Sequence, residues 1–156
     1  MIPEAEYIRS ELSIRKMDLP DSVKLTKKSL LRWCCLSLGL LSPNESRDKA
    51  LLVYDALFTY LFKKKQAPTT LDLKEFIKEK SSTEMSEKLI RYHLNRLIAL
   101  GIVAREKTKY KINPSPDSEQ RNSMKDSFNA WVKEPAEKEL SKVSNSLESL
   151  QELYSK

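Results

Sequence analysis

The chain has 156 residues and carries 28 Lys and Arg against 22 Asp and Glu, a formal net charge of +6; this is enough for one domain with a sizeable core, and the charge suits a polyanionic partner. Two glycines far apart, Gly39 and Gly101, exclude a phosphate-cradling loop and a dinucleotide fingerprint, and one histidine with two adjacent cysteines cannot supply the spacing of a structural zinc site. No cofactor, no metal and no enzymatic activity are therefore expected, because the many carboxylates fall among lysines on polar helix faces and form no distinctive pair.

In chain order, residues 3–17 are expected to form a helix with Tyr7, Ile8, Leu12 and Met17 inward, ended by Pro20. The acidic, amphipathic start is unlike a signal peptide, so a cytoplasmic protein is expected. Thr26 is placed to N-cap a second helix over residues 27–38. Its Leu30, Leu31, Trp33, Cys34, Cys35, Leu36 and Leu38 occupy more than one face, so it should be covered on several sides, by the C-terminal helices or by a second subunit. Adjacent Cys34 and Cys35 make a poor disulfide and read as ordinary core residues. The most apolar run, residues 30–41, is about twelve residues long against the roughly 20 that span a bilayer, so no membrane partner is expected.

Ser42-Pro43-Asn44-Glu45 combines an N-cap Ser, a Pro at the first helical position and a Glu at the third. The helix it opens should run to about residue 64, as judged by a wide apolar face of Ala50, Leu51, Val53, Tyr54, Leu57, Phe58, Leu61 and Phe62. Lys63, Lys64 and Lys65 close it, either as partners of the negative helix end or as phosphate contacts. Residues 67–70 read as a loop or short strand. Asp72 with Glu75 then makes a capping pair, with Leu71 and Phe76 as a hydrophobic staple, for a helix of about nine residues bearing Leu73, Phe76 and Ile77. Residues 80–86 form the turn to the next helix.

That helix starts at Ser86 and buries Ile90, Leu94, Leu97 and Ile98, while Lys88, Arg91, Tyr92 and Asn95 line the opposite stripe. Gly101 suits its C-cap, and residues 102–106 and 109–112 have strand pattern, with Tyr110 and Ile112 inward and Lys109 and Lys111 toward water. The order Ser86-Glu87-Lys88-Leu89-Ile90-Arg91-Tyr92-His93-Leu94-Asn95-Arg96-Leu97, Leu100-Gly101-Ile102-Val103, Tyr110-Lys111-Ile112 resembles the recognition helix and wing of the archaeal and bacterial winged-helix regulators. The resemblance covers roughly residues 42–114 and implies a mainly α fold with a small β-hairpin wing: a winged helix-turn-helix domain over 42–113, an N-terminal helical extension over 1–41, and C-terminal helices over 114–156.

It implies double-stranded DNA as partner and transcription regulation as function. Helix 86–100 would present Lys88, Arg91, Tyr92 and Asn95 to the major groove, and wing 102–112 would set Arg105, Lys107, Lys109 and Lys111 along the backbone. Charge placement agrees, since residues 83–113 hold seven basic residues (those named, Tyr92 and Asn95 aside, with Arg96) against the acidic Glu84, Glu87 and Glu106. His93 is expected to pack or touch phosphate. The alternative is a winged-helix protein interaction module that binds no DNA, which Glu84 and Glu87 favour because they repel phosphate.

Past the linker Pro114-Ser115-Pro116-Asp117, residues 123–133 should be helical with Met124, Phe128, Trp131 and Val132 on one side, interrupted by Pro135, which is expected at the first turn of the last helix. In the last helix Leu140, Val143, Leu147, Leu150 and Tyr154 are spaced as a coiled-coil seam of about two heptads. It should dock either on its own chain or on a second copy, making a homodimer through residues 136–154 with residues 26–38 as a second candidate surface.

Overall fold

The computed structural model describes residues 1–44 and 49–156. Over the described residues the protein is mainly helical, with one two-stranded antiparallel sheet. Helix α1 (Lys27–Ser37) is capped by Thr26, whose hydroxyl accepts from the Ser29 N–H at 3.1 Å. Within the single chain its cover is partial: Cys35 is buried, Leu31, Trp33, Cys34, Leu36 and Leu38 are half-buried, and Leu30 is exposed. Glu45, and with it the end of the expected Ser42–Glu45 capping box, lies outside the described residues.

Helix α2 (Lys49–Phe58) is the centre of the core, with Val53, Tyr54, Ala56 and Leu57 fully buried. It continues as a π-helical turn over Thr59–Lys63 and stops where Lys65 takes a φ of +55°. Helix α3 (Thr70–Ser81) begins earlier than Asp72 and Glu75 suggest. Thr69 is its N-cap and Asp72 the third residue: the Asp72 N–H donates to the Thr69 hydroxyl at 3.1 Å and the Asp72 carboxylate accepts from the Thr69 N–H at 2.9 Å. Two otherwise orphaned donors are satisfied reciprocally. Leu71 is consequently exposed instead of stapled to Phe76.

Ser82, at φ +57°, ends α3, so the turn to helix α4 (Glu87–Leu100) shortens to residues 82–86. Ser86 caps α4 by accepting from the Leu89 N–H at 3.1 Å; Ile90, Leu94 and Leu97 are buried as the spacing requires, with Ile98 packed beside them. Gly101 closes α4 at φ +108°, and a Cβ there would lie 3.2 Å from that of Trp131. Strands β1 (Val103–Glu106) and β2 (Lys109–Ile112) pair from Val103↔Ile112 to Glu106↔Lys109, leaving a two-residue turn with Lys107 at φ +57°. The segment at 67–70 pairs with this hairpin: the Tyr110 N–H donates to Pro68 O at 2.9 Å, beside a Thr69↔Lys109 bridge. The Tyr110 hydroxyl meets that of Thr70 at 3.2 Å in the interior.

The C-terminal part runs through α5 (Met124–Phe128), a π-helical turn over Asn129–Lys133, and α6 (Glu134–Tyr154). Pro135 does not interrupt the backbone. It sits in the first turn of α6, and the widened turn before it accommodates a residue that lacks an N–H and crowds the carbonyl four residues back. The Asn122 amide donates to Leu61 O at 3.0 Å and the Ser127 hydroxyl to Ile102 O at 3.3 Å, fixing the start of this segment to α2 and the hairpin.

The expected helix over residues 3–17 is absent. Only Pro3–Tyr7 forms a 3-10 turn, Tyr7, Ile8 and Leu12 are exposed, and residues 8–20 are non-helical. Four apolar residues give a short amphipathic segment little reason to stay helical. Without helical structure the segment can instead satisfy the end of α1: the Arg15 N–H donates to Ser37 O at 2.9 Å, its guanidinium to Leu36 O at 2.6 Å and Leu41 O at 2.8 Å, and the Trp33 indole to Asp18 O at 2.8 Å. Among the described residues no helix is long and apolar enough to cross a membrane.

Candidate functional site

A helix whose apolar stripe is locked into a core must turn its other stripe to solvent. On α4 that stripe holds Lys88, Tyr92 and Asn95, all exposed, and Arg91, half-buried. Rigid caps at Ser86 and Gly101 fix its direction. Glu84 does not stand as a free charge at the head of α4: its carboxylate pairs with Lys78 Nζ at 2.8 Å, a hydrogen bond that holds the acid below the usual carboxylate range and raises the lysine. Glu87 sits in the first turn, where a negative charge suits the helix dipole.

The hairpin supplies a second group of cations in unequal states. Lys107 and Lys109 are exposed. The exposed Arg105 donates from Nε to Lys107 O at 3.0 Å, with its guanidinium 5.7 Å from the centre of the Tyr110 ring. Lys111 is only half-exposed and its ammonium sits 2.6 Å from Glu106, whose carboxyl is held below its ordinary value by that bond. Arg96 leaves the set altogether. It points back into the fold, donating to Leu40 O at 2.8 Å and Gly39 O at 2.7 Å. The seven basic residues of this stretch are thus not one continuous surface.

His93 is a packing residue, edge-on to the rings of Tyr54 at 6.2 Å and Tyr92 at 5.2 Å, and the Tyr54 hydroxyl donates to its carbonyl at 3.3 Å. Burial pushes the Cys35 thiol up to about 12, helped by the neighbouring Cys34, which makes it inert. Of the three lysines that close α2, Lys64 lies over the rings of Tyr60 at 4.2 Å and Phe76 at 4.9 Å. Lys80 and Lys27 converge on Asp55 at 2.8 and 3.6 Å.

Sequence reasoning missed these clusters and the clamps of Arg15 and Arg96. The position of Arg96 beside the buried Leu97 was legible from helical spacing, but its carbonyl partners lie 56 and 57 residues away. No sequence signal points to Arg15. Among the described residues no group of three or more His, Cys, Asp or Glu side chains could hold a metal ion. The α4 stripe and hairpin together offer a fork of guanidinium donors, an amide that both donates and accepts, ammonium groups and an exposed phenol, groups suited to hydrogen bonding and charge neutralisation. No protein-family model, no curated protein and no solved structure matches the chain.

Proposed function

We propose that residues 42–113 form a winged helix-turn-helix unit and that the chain is a DNA-binding transcriptional regulator acting as a homodimer. The observation that carries this reading is the solvent-facing stripe of Lys88, Arg91, Tyr92 and Asn95 on a helix whose opposite face is fixed in the core and whose ends are capped. A helix fits the major groove, where Arg suits guanine and Asn suits adenine. Hairpin residues Arg105, Lys107 and Lys109 would follow the phosphates and supply affinity with little sequence information. Pairing of Glu84 with Lys78 supports the reading, since it offsets a charge that would otherwise repel phosphate.

A second reading, a winged-helix module that joins other proteins and binds no DNA, is favoured by the apolar side chains left exposed at Ile8, Leu12, Ile14 and Leu19. Binding to labelled mixed-sequence duplex at low and moderate salt, with the mass in solution recorded alongside, separates the two. Binding by a dimer that falls steeply with salt is expected; absence of binding at low salt sinks the DNA reading and leaves the interaction module.

A further inference from the structure

Helix α6 is 21 residues long and not one of them is buried. Leu140, Val143, Leu147, Leu150 and Tyr154 are 49 to 83 % exposed. With Ala136 they recur at alternating gaps of four and three, which is an a/d seam and narrower than the apolar stripe of a helix that lies on its own domain's core. The two rows beside the seam are Glu137, Ser144 and Gln151 on one side and Glu139, Ser146 and Leu153 on the other. Near the middle they are uncharged. A seam meant for a different chain is selected by complementary charges in those rows, whereas Ser144 and Ser146 leave self-pairing unopposed.

We infer that α6 pairs antiparallel with α6 of a second copy of this chain, so that Ala136 faces Tyr154, Leu140 faces Leu150, and Val143 faces Leu147 across a twofold axis near Asn145. Layer volume decides the direction. A parallel pair would set Ala136 on Ala136 and Tyr154 on Tyr154, leaving a void at one end of the seam and crowding at the other. The antiparallel pair matches the smallest residue with the largest and keeps each layer close to the same volume, as close packing demands. The arrangement is isologous: each residue and its opposite exchange roles between the copies.

The direction also sets the distance between the winged-helix units, and here the inference rests on the DNA-binding reading above. Each unit joins α6 at its N-terminal end. In the antiparallel pair the two Lys133 positions lie roughly 36 Å apart along the axis, at about 1.5 Å per residue. That is close to the roughly 34 Å between half-sites one helical turn apart. A parallel pair would hold these positions at only about 8 to 10 Å, the spacing of packed helices.

Disulfide trapping in the full-length chain tests the inference, with products mapped by mass spectrometry so that links through Cys34 or Cys35 are told apart. A136C/Y154C is expected to form covalent dimers linked between positions 136 and 154, while A136C alone and Y154C alone do not. A link from 136 to 136 in the A136C chain means a parallel pair and overturns the inference. So does a parent chain that sedimentation shows to be monomeric. Because the seam is exposed, L147E should keep the parent's circular dichroism and lose the dimer; a dimer that survives L147E overturns the seam. An antiparallel dimer that binds no duplex keeps the pairing and sinks the DNA reading, whereas a monomeric parent that binds duplex does the reverse.

Discussion

Arg91, Asn95 and Lys109 are given different tasks, so their removal should read out differently. If Arg91 or Asn95 makes a bidentate base contact, Arg91→Ala or Asn95→Ala is expected to cost about 1 to 3 kcal/mol on the preferred site and little on others. Lys109→Ala should weaken all sequences alike and lower the salt slope by about one. A panel of duplexes titrated at several salt concentrations checks this, and equal losses across all three variants would remove the division of roles. Gly101 is a structural counterpart. At φ +108°, with a Cβ position 3.2 Å from that of Trp131, Gly101→Ala meets backbone strain and a contact that must give way. Thermal unfolding should show a loss of about 1 to 3 kcal/mol.

At the scale of elements, the hairpin carries its own restraint. The Glu106 carboxylate occupies Lys111 at 2.6 Å. The bond to Lys111 holds the Glu106 carboxyl below the usual carboxylate range, so the pair is present near neutral pH and is lost on the acid side as pH falls through the depressed value. Near neutral pH only substitution breaks it. Glu106→Gln is therefore expected to free one cation for the phosphates, strengthening binding at low salt and steepening the salt slope by about 0.9; an unchanged slope would mean that Lys111 faces no phosphate. Elements were legible where a local signal had no rival. Ser86 and Gly101 bound α4, Thr26 opens α1, and the alternation of Lys109, Tyr110, Lys111 and Ile112 sorts inside from outside. Where two local solutions competed, spacing alone could not choose, as at Thr69 and Asp72. Contacts of long range were invisible, because nothing local in Arg15 or Arg96 names the atom it meets.

For the whole molecule, the end of α1 is where distant parts of the chain are joined. Arg15 from the N-terminal segment holds Leu36 O and Leu41 O, while Arg96 from α4 holds Gly39 O and Leu40 O. These carbonyls lie within six consecutive residues and have lost their continuing helix. Removing Arg96 leaves part-buried acceptors without their charged donor, and Arg96→Ala should cost about 1.5 to 3 kcal/mol. In a chain of this size each 1 kcal/mol lowers the melting temperature by roughly 2 to 4 °C. Arg15→Ala acts on the same loop from the opposite side, so the two losses should not add; a coupling of about 0.5 to 3 kcal/mol is expected in the double-mutant cycle. Such a coupling would mean that the N-terminal segment and α4 are braced by one element, so that displacing residues 8–20 loosens the anchor of the helix that carries Arg91 and Asn95. Additive losses would instead make the segment an independent strap, with no hold on the interface.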